Sequence, residues 1–349
     1  MKKQYLPAIL GAFGFLILIL DAKTAIIGAQ DAINLCQRSV IPSLFPFIVL
    51  SNLVTSGLYG STSPLLRPLG KLLGIPKGSE GIFLTGILGG YPTGAQAVQN
   101  AWTQGALSIE DARRMLGFCN NAGPAFLFGI LAPFFPRGRL WLLWIIHILS
   151  AVITGVLLPG RRDGCIGKIC AEKSSPVTAV KGSVAVMGYI CGWIVLFRVL
   201  FAFLSRWVLW LIPAEGQVSI YGLMELAGGC CSLNYVADPS LRFVICSAML
   251  ACGGLCVAMQ TASVTDKLGM GQYLAGKGIQ TLCSIWLASC VVTWGKLEFI
   301  PCLLAFPALV TLRYFLRKAS LRKAMTLNLY RQPGMFFAAE RRKIVWAVK

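Results

Sequence analysis

Apolar runs long enough to cross a bilayer, broken by short polar strings rich in glycine and proline, restrict most sharply what this chain can fold into. The two clearest strings are Gly89-Gly90-Tyr91-Pro92-Thr93-Gly94-Ala95-Gln96 and Phe118-Cys119-Asn120-Asn121-Ala122-Gly123-Pro124-Ala125-Phe126. In hydrocarbon every unpaired backbone amide or carbonyl is costly, so broken backbone persists there only where protein buries it or a wet cavity meets it. In membrane carriers such breaks commonly form the substrate site, with unwound carbonyls and half-helix ends facing the ligand. The pattern points to a polytopic, all-helical membrane protein that moves a small polar solute.

Composition supports a bilayer setting. Of 349 residues, 56% are hydrophobic and 13% charged, and the mean hydropathy is +0.71, well outside the soluble range. The formal net charge of +19 is not spread as in a nucleic-acid-binding protein. Lys2 and Lys3 precede the first apolar run, Arg161, Arg162 and Lys168 follow a later one, and the tail from Arg313 to Lys349 holds ten Lys or Arg against one Glu. This is the positive-inside pattern, placing both termini and the loop from Arg161 to Lys181 in the cytoplasm. No nucleic-acid motif accompanies the charge, so no nucleic-acid partner is expected. Most of the thirteen cysteines lie within apolar stretches, where they act as small packing residues.

A core about 30 Å thick asks for roughly 20 apolar residues per helix. Tyr5 to Leu20 reads as a retained anchor, Lys23 to Arg38 as an interfacial or connecting helix, and Val40 to Leu58, Leu140 to Leu158, Ser183 to Phe203, Gln272 to Trp294 and Phe299 to Leu316 as spans. Glu80 to Trp102, Ala112 to Phe135, Tyr221 to Tyr235 and Leu241 to Ser263 are apolar but interrupted, as re-entrant or broken helices are. Ser108 with Glu110 and Asp111 supplies an N-cap and first-turn acids for a helix ending at Asn120-Asn121, and Pro124 suits the start of the next segment. The order of full span, two broken segments and full span occurs twice, which suggests an internal duplication, read here as inverted.

The breaks define the candidate site. Gly89, Gly90, Pro92, Gly94, Gly123, Pro124, Gly228, Gly229, Gly253 and Gly254 shape the backbone. Tyr91, Thr93, Gln96, Asn120, Asn121, Glu225 and Gln260 supply polar side chains to a solute. Glu225 within an apolar stretch either binds a coupling proton or sodium ion or pairs with Arg198. His147 is expected to hydrogen-bond inside the bundle. One histidine, no metal-ligand cluster, no nucleophile elbow and no Walker loop leave no catalytic constellation, so neither enzyme activity nor a metal or cofactor is expected.

Gly90-Tyr91-Pro92-Thr93-Gly94-Ala95, Phe118 to Phe126, Glu225 ahead of Gly228-Gly229, and Gly253-Gly254-Leu255 followed by Gln260 resemble the nucleoside-recognition or Gate family of membrane proteins, specifically its YlbJ type of sporulation integral membrane protein. The resemblance covers about Val40 to Thr293. It implies kinship with concentrative nucleoside transporters and passage of dipicolinic acid across the outer forespore membrane. Family members carry Lys where this chain has Gln96, a hydroxyl residue near Ala227, and polar residues near Cys256 and Ala258.

The expected organisation is an N-terminal anchor and interfacial helix (1–38), a first Gate-like repeat (39–160), a cytoplasmic linker (161–181), a second repeat (182–298), and a last span with a basic tail (299–349). A homo-oligomer is compatible with it. The competing function is a membrane scaffold or receptor subunit in spore-envelope assembly that moves nothing.

Overall fold

Among the residues that the computed structural model describes (5–56, 64–158, 175–265, 267–294, 299, 300 and 304), the chain is helical with no β-strand. It begins with α1 (Leu6–Leu20) and α2 (Ala22–Leu35), which passes through a π-helical turn (Cys36–Val40) into α3 (Ile41–Ser56). A short α4 (Arg67–Leu73) leads to α5 (Glu80–Gly89), α6 (Thr93–Thr103) and α7 (Ile109–Cys119), then to a second π-helical turn (Phe126–Ile130) and α8 (Arg137–Leu157). The rest comprises α9 (Pro176–Trp207), α10 (Ala214–Met224), α11 (Leu226–Cys231), α12 (Pro239–Cys252), α13 (Gly254–Val264) and α14 (Gly271–Thr293). Met1–Val292 make one compact unit, which holds every feature of the site, and Thr293–Lys349 make another.

Side-chain caps set several of these starts. Ser108 accepts from the Asp111 N–H at 3.1 Å and donates to the Asp111 carboxylate at 2.9 Å, opening α7. Ser175 accepts from the Thr178 N–H ahead of Pro176, and Asp238 from the amides of Ser240 and Leu241 ahead of Pro239. In both, the proline occupies a first-turn position that lacks an intrahelical amide partner anyway.

Among the described residues five helical stretches are long and apolar enough to cross a membrane: Ala22–Leu53, Arg137–Leu157, Pro176–Trp207, Pro239–Val264 and Gly271–Thr293. Leu50, Leu196 and Leu282 stand about 60% exposed on them, as lipid-facing side chains do. The protein is an all-α, multi-pass membrane bundle.

One stretch differs from the sequence expectation. Where the hydropathy suggests an interfacial helix and then a separate span, α2, the π-helical turn and α3 run on as one. Thr24, Gly28 and Ala32 form a buried stripe of small residues four apart, and Gly28 lies against the α9 backbone at Arg198 and Val199. Close approach along such a stripe holds α2 on α9 despite its polar content. Pro176 to Lys181 belong to α9, while residues 161–174 of the expected linker and nearly all of the expected last span and basic tail (299–349) lie outside the described residues.

Polar pairs join the spans elsewhere. Ser247 and Ser284 meet at 2.7 Å between α12 and α14, Trp193 donates to Ser263 between α9 and α13, and Asn52 donates to Ser183 between α3 and α9. Arg114, buried in α7, gathers the backbone carbonyls of Leu73, Gly74, Gly155 and Leu158. These lie at the C-terminal ends of α4 and α8, where orphan carbonyls need donors.

Candidate functional site

The first two breaks fold against each other. α5 ends at Gly90, whose φ is +77°, a cis Tyr91–Pro92 bond follows, and α6 restarts at Thr93. α7 ends as Asn120 turns extended. A β-carbon at Gly86 or Gly94 would lie 1.6 or 2.0 Å from the Cys119 carbonyl oxygen, so only glycine lets the end of α7 press between α5 and α6. The second half meets this corner directly. Tyr91 donates its hydroxyl to the Leu250 carbonyl at 2.8 Å, in the last turn of α12. Gly253 and Gly254, both at positive φ, break α12 from α13 beside the Tyr91 ring.

A buried polar network fills the centre. α14 approaches α7 backbone to backbone at Gly276 and Gly117, and the next residue, Lys277, is 3% exposed. Its Nζ donates to the Asn120 carbonyl at 2.5 Å, to Gln280 Oε1 at 2.8 Å and to the Tyr91 hydroxyl at 3.3 Å. It also lies 4.9 Å from the centre of the Tyr91 ring, within cation–π range. Gln280 donates to Asn121 Oδ1 at 2.9 Å, and Asn120 donates to Thr261 at 2.8 Å and accepts from the Ala95 N–H at 3.4 Å. His147 accepts from the Ala122 N–H at 2.9 Å, so it hydrogen-bonds within the bundle at a break.

The third break centres on Glu225, between α10 and α11. Its carboxylate accepts from the amides of Ala227 at 2.8 Å and Gly228 at 2.6 Å, capping α11, and lies 3.7 Å from Arg198 Nε. Both the amide-rich helix start and the guanidinium favour a negative charge there. Gly229 permits backbone contact between α11 and Gly222 of α10.

Three of the breaks, and α13 that follows the fourth, contribute to one cavity of about 40 Å³. Its polar lining comes from Gly90 and Tyr91, Gly123, Glu225 and Gln260, and its apolar wall includes Ile190, Ala227 and Val257. At ~10–15 Å³ per water it has room for a few waters. Arg198 links it to a larger hollow: while reaching Glu225, it also lines a space of about 390 Å³ with Thr24, Asp31, Phe201, Arg206 and Tyr221. The stacked rings of Phe201 and Tyr221, 3.6 Å between centres, form part of the wall of that hollow.

Of the side chains singled out in the sequence, Tyr91, Glu225 and Gln260 line the cavity. Asn120 and Asn121 are fully buried behind it, bonded to protein partners. Thr93 donates to the Gly90 carbonyl at 2.7 Å and stands off the lining, as does half-buried Gln96. Pro92 and Pro124 sit at the restarts, and Gly89, Gly94, Gly228 and Gly229 at close backbone or side-chain approaches. Arg198 takes the pairing role weighed for it. Lys277 and Gln280 went unrecognised, hidden in a stretch read as a plain span. A lysine six residues inside an apolar run was the signal.

No protein-family model matches the chain, and no solved structure does. The chain is similar to the sporulation integral membrane protein YlbJ of Bacillus subtilis (strain 168), with 28% identity over 159 residues. That match covers 44% of this chain and 38% of the relative, so well under half the length of YlbJ is spanned. The chain is a multi-pass helical membrane protein distantly related to a sporulation membrane protein.

Proposed function

We propose that this protein is a solute carrier whose substrate site lies where the four helix breaks converge. The observation that carries this reading is the single cavity edged by Gly90 and Tyr91, Gly123 and Glu225, from three interruptions far apart in sequence, and by Gln260 of α13, the helix that follows the fourth. A scaffold has no need to gather its backbone breaks around shared space. A carrier needs it, because the breaks supply polar groups at membrane depth.

At about 40 Å³ the cavity is far smaller than the ~300 Å³ of a ligand pocket, so this is a closed arrangement. Substrate enters by separation of Arg198 from Glu225, joining the cavity to the 390 Å³ hollow. Alternating access then exchanges openings on the two sides, driven by differential binding in the two states. The matched order of α3, α5/α6, α7 with its following turn, and α8 against α9, α10/α11, α12/α13 and α14 supports a duplicated architecture, and we read the repeats as inverted. By resemblance to the Gate family the solute is dipicolinic acid or a nucleoside-like molecule, and the setting is sporulation, in keeping with the similarity to YlbJ.

Vesicles carrying the purified protein, offered radiolabelled dipicolinate and nucleosides, test the reading. Uptake of one solute above empty vesicles is expected. Flux equal to empty vesicles for every solute would favour the scaffold.

A further inference from the structure

Lys277 carries a cation deep in the bundle with no carboxylate among the described residues to answer it. The ion pairs among the described residues join Arg67 to Glu80, Arg198 to Glu225 and Arg206 to Asp21. The Lys277 nitrogen instead faces three neutral oxygens, from the Asn120 carbonyl, Gln280 and Tyr91.

Counting donors favours the charged amine. Tyr91 spends its hydroxyl proton on the Leu250 carbonyl, and Gln280 turns its amide nitrogen to Asn121, leaving its oxygen for Lys277. A backbone carbonyl has no proton to give. All three neighbours therefore accept, and only an ammonium supplies three donors. The Asn120 carbonyl also belongs to the C-terminal end of α7, whose unpaired carbonyls carry partial negative charge.

A half-helix carbonyl end, an amide oxygen and a hydroxyl, converging at membrane depth, make a donor set suited to a small alkali cation. We propose that the Lys277 ammonium is a tethered cation occupying the place where a free sodium ion would otherwise be coordinated, so that the break after α7 is joined to Tyr91 and α14 without sodium. The consequence for transport, uptake indifferent to a sodium gradient, rests on the carrier reading above. The occupancy of the oxygen cluster does not.

Thermal unfolding of the purified full chain in sodium, potassium or choline chloride at equal ionic strength tests the proposal. Wild type unfolds at the same midpoint in all three. Lys277→Ala vacates the oxygens, starts from a lower midpoint in choline, and gains a sodium-selective rise of a few degrees. Lys277→Met, which refills the volume with an uncharged chain, shows no sodium response. A sodium-selective rise in wild type overturns the proposal, and so does a folded Lys277→Ala protein that responds alike to all three salts. Should that variant fail to fold in every salt, the wild-type comparison decides alone. Failure to move any solute would remove the carrier reading while leaving these midpoints intact, whereas uptake that requires sodium would keep the carrier and sink the tethered cation.

Discussion

The Lys277 corner and the Glu225 corner answer the same problem with opposite charges. At the first, α7 stops at Asn120 and its carbonyl end is met by an ammonium. At the second, α11 begins at Leu226 and its amide end is met by a carboxylate. Each buried charge has the sign opposite to the helix terminus it faces, which is where the helix dipole makes burial affordable. The difference lies in their second partners. Glu225 has Arg198 at 3.7 Å, beside a hollow, whereas Lys277 is enclosed by neutral groups. On the carrier reading the first corner is a fixed joint and the second the contact that parts.

Reversing the charge at the joint should do the most damage. Lys277→Glu sets a carboxylate against the Asn120 carbonyl and Gln280 oxygen, and a loss of about 4 kcal/mol or more is expected. Size-exclusion profiles and thermal unfolding in detergent check it, and a monodisperse variant of wild-type stability would break the comparison. Glu225→Ala follows, costing about 2–4 kcal/mol through the lost cap on α11 and the stranded Arg198. Glu225→Gln keeps an acceptor oxygen for α11 and should recover part of that loss on the same unfolding curve.

The chemistry of these corners was only partly legible in the sequence. Glu225 stood out as a carboxylate in an apolar stretch, and Ser108, Asn120 and Pro124 marked where a helix starts, stops and restarts, because capping and proline chemistry are local. Lys277 obeyed the same rule as Glu225 but lay near the start of an apolar run, where a lysine usually snorkels to the interface. Its burial depends on Gly276 meeting Gly117, a contact 159 residues apart in sequence and invisible to periodicity. The union of Ala22–Leu53 was missed for a similar reason. Its polar residues suggested an interface, while the stripe of Thr24, Gly28 and Ala32 acquires meaning only once α9 lies against it.

Smaller effects sharpen the comparison. Asn120→Ala leaves Thr261 and the Ala95 amide short of a partner and should cost about 1–3 kcal/mol by thermal unfolding. Gln260 behaves differently, since its side-chain amide reaches only the Cys256 sulfur at 3.4 Å while lining the cavity. Gln260→Ala, at a position 4% exposed, should cost only about 1 kcal/mol yet lower solute uptake. Gln96→Ala, off the cavity lining, should change neither, and a loss of uptake with intact stability would move the site toward α6.

The central claim is that the cavity gathered by the helix breaks and α13 is where solute binds. Ala227 is 3% exposed and forms part of its wall, so Ala227→Phe fills the space while leaving the charged residues of both corners unchanged. Uptake of radiolabelled dipicolinate and nucleosides by vesicles of wild type and of Ala227→Phe, each shown to be folded by its unfolding transition, is the direct comparison. The account predicts uptake by the wild type and none by the folded variant. Equal uptake by the two would place the pathway elsewhere and contradict it.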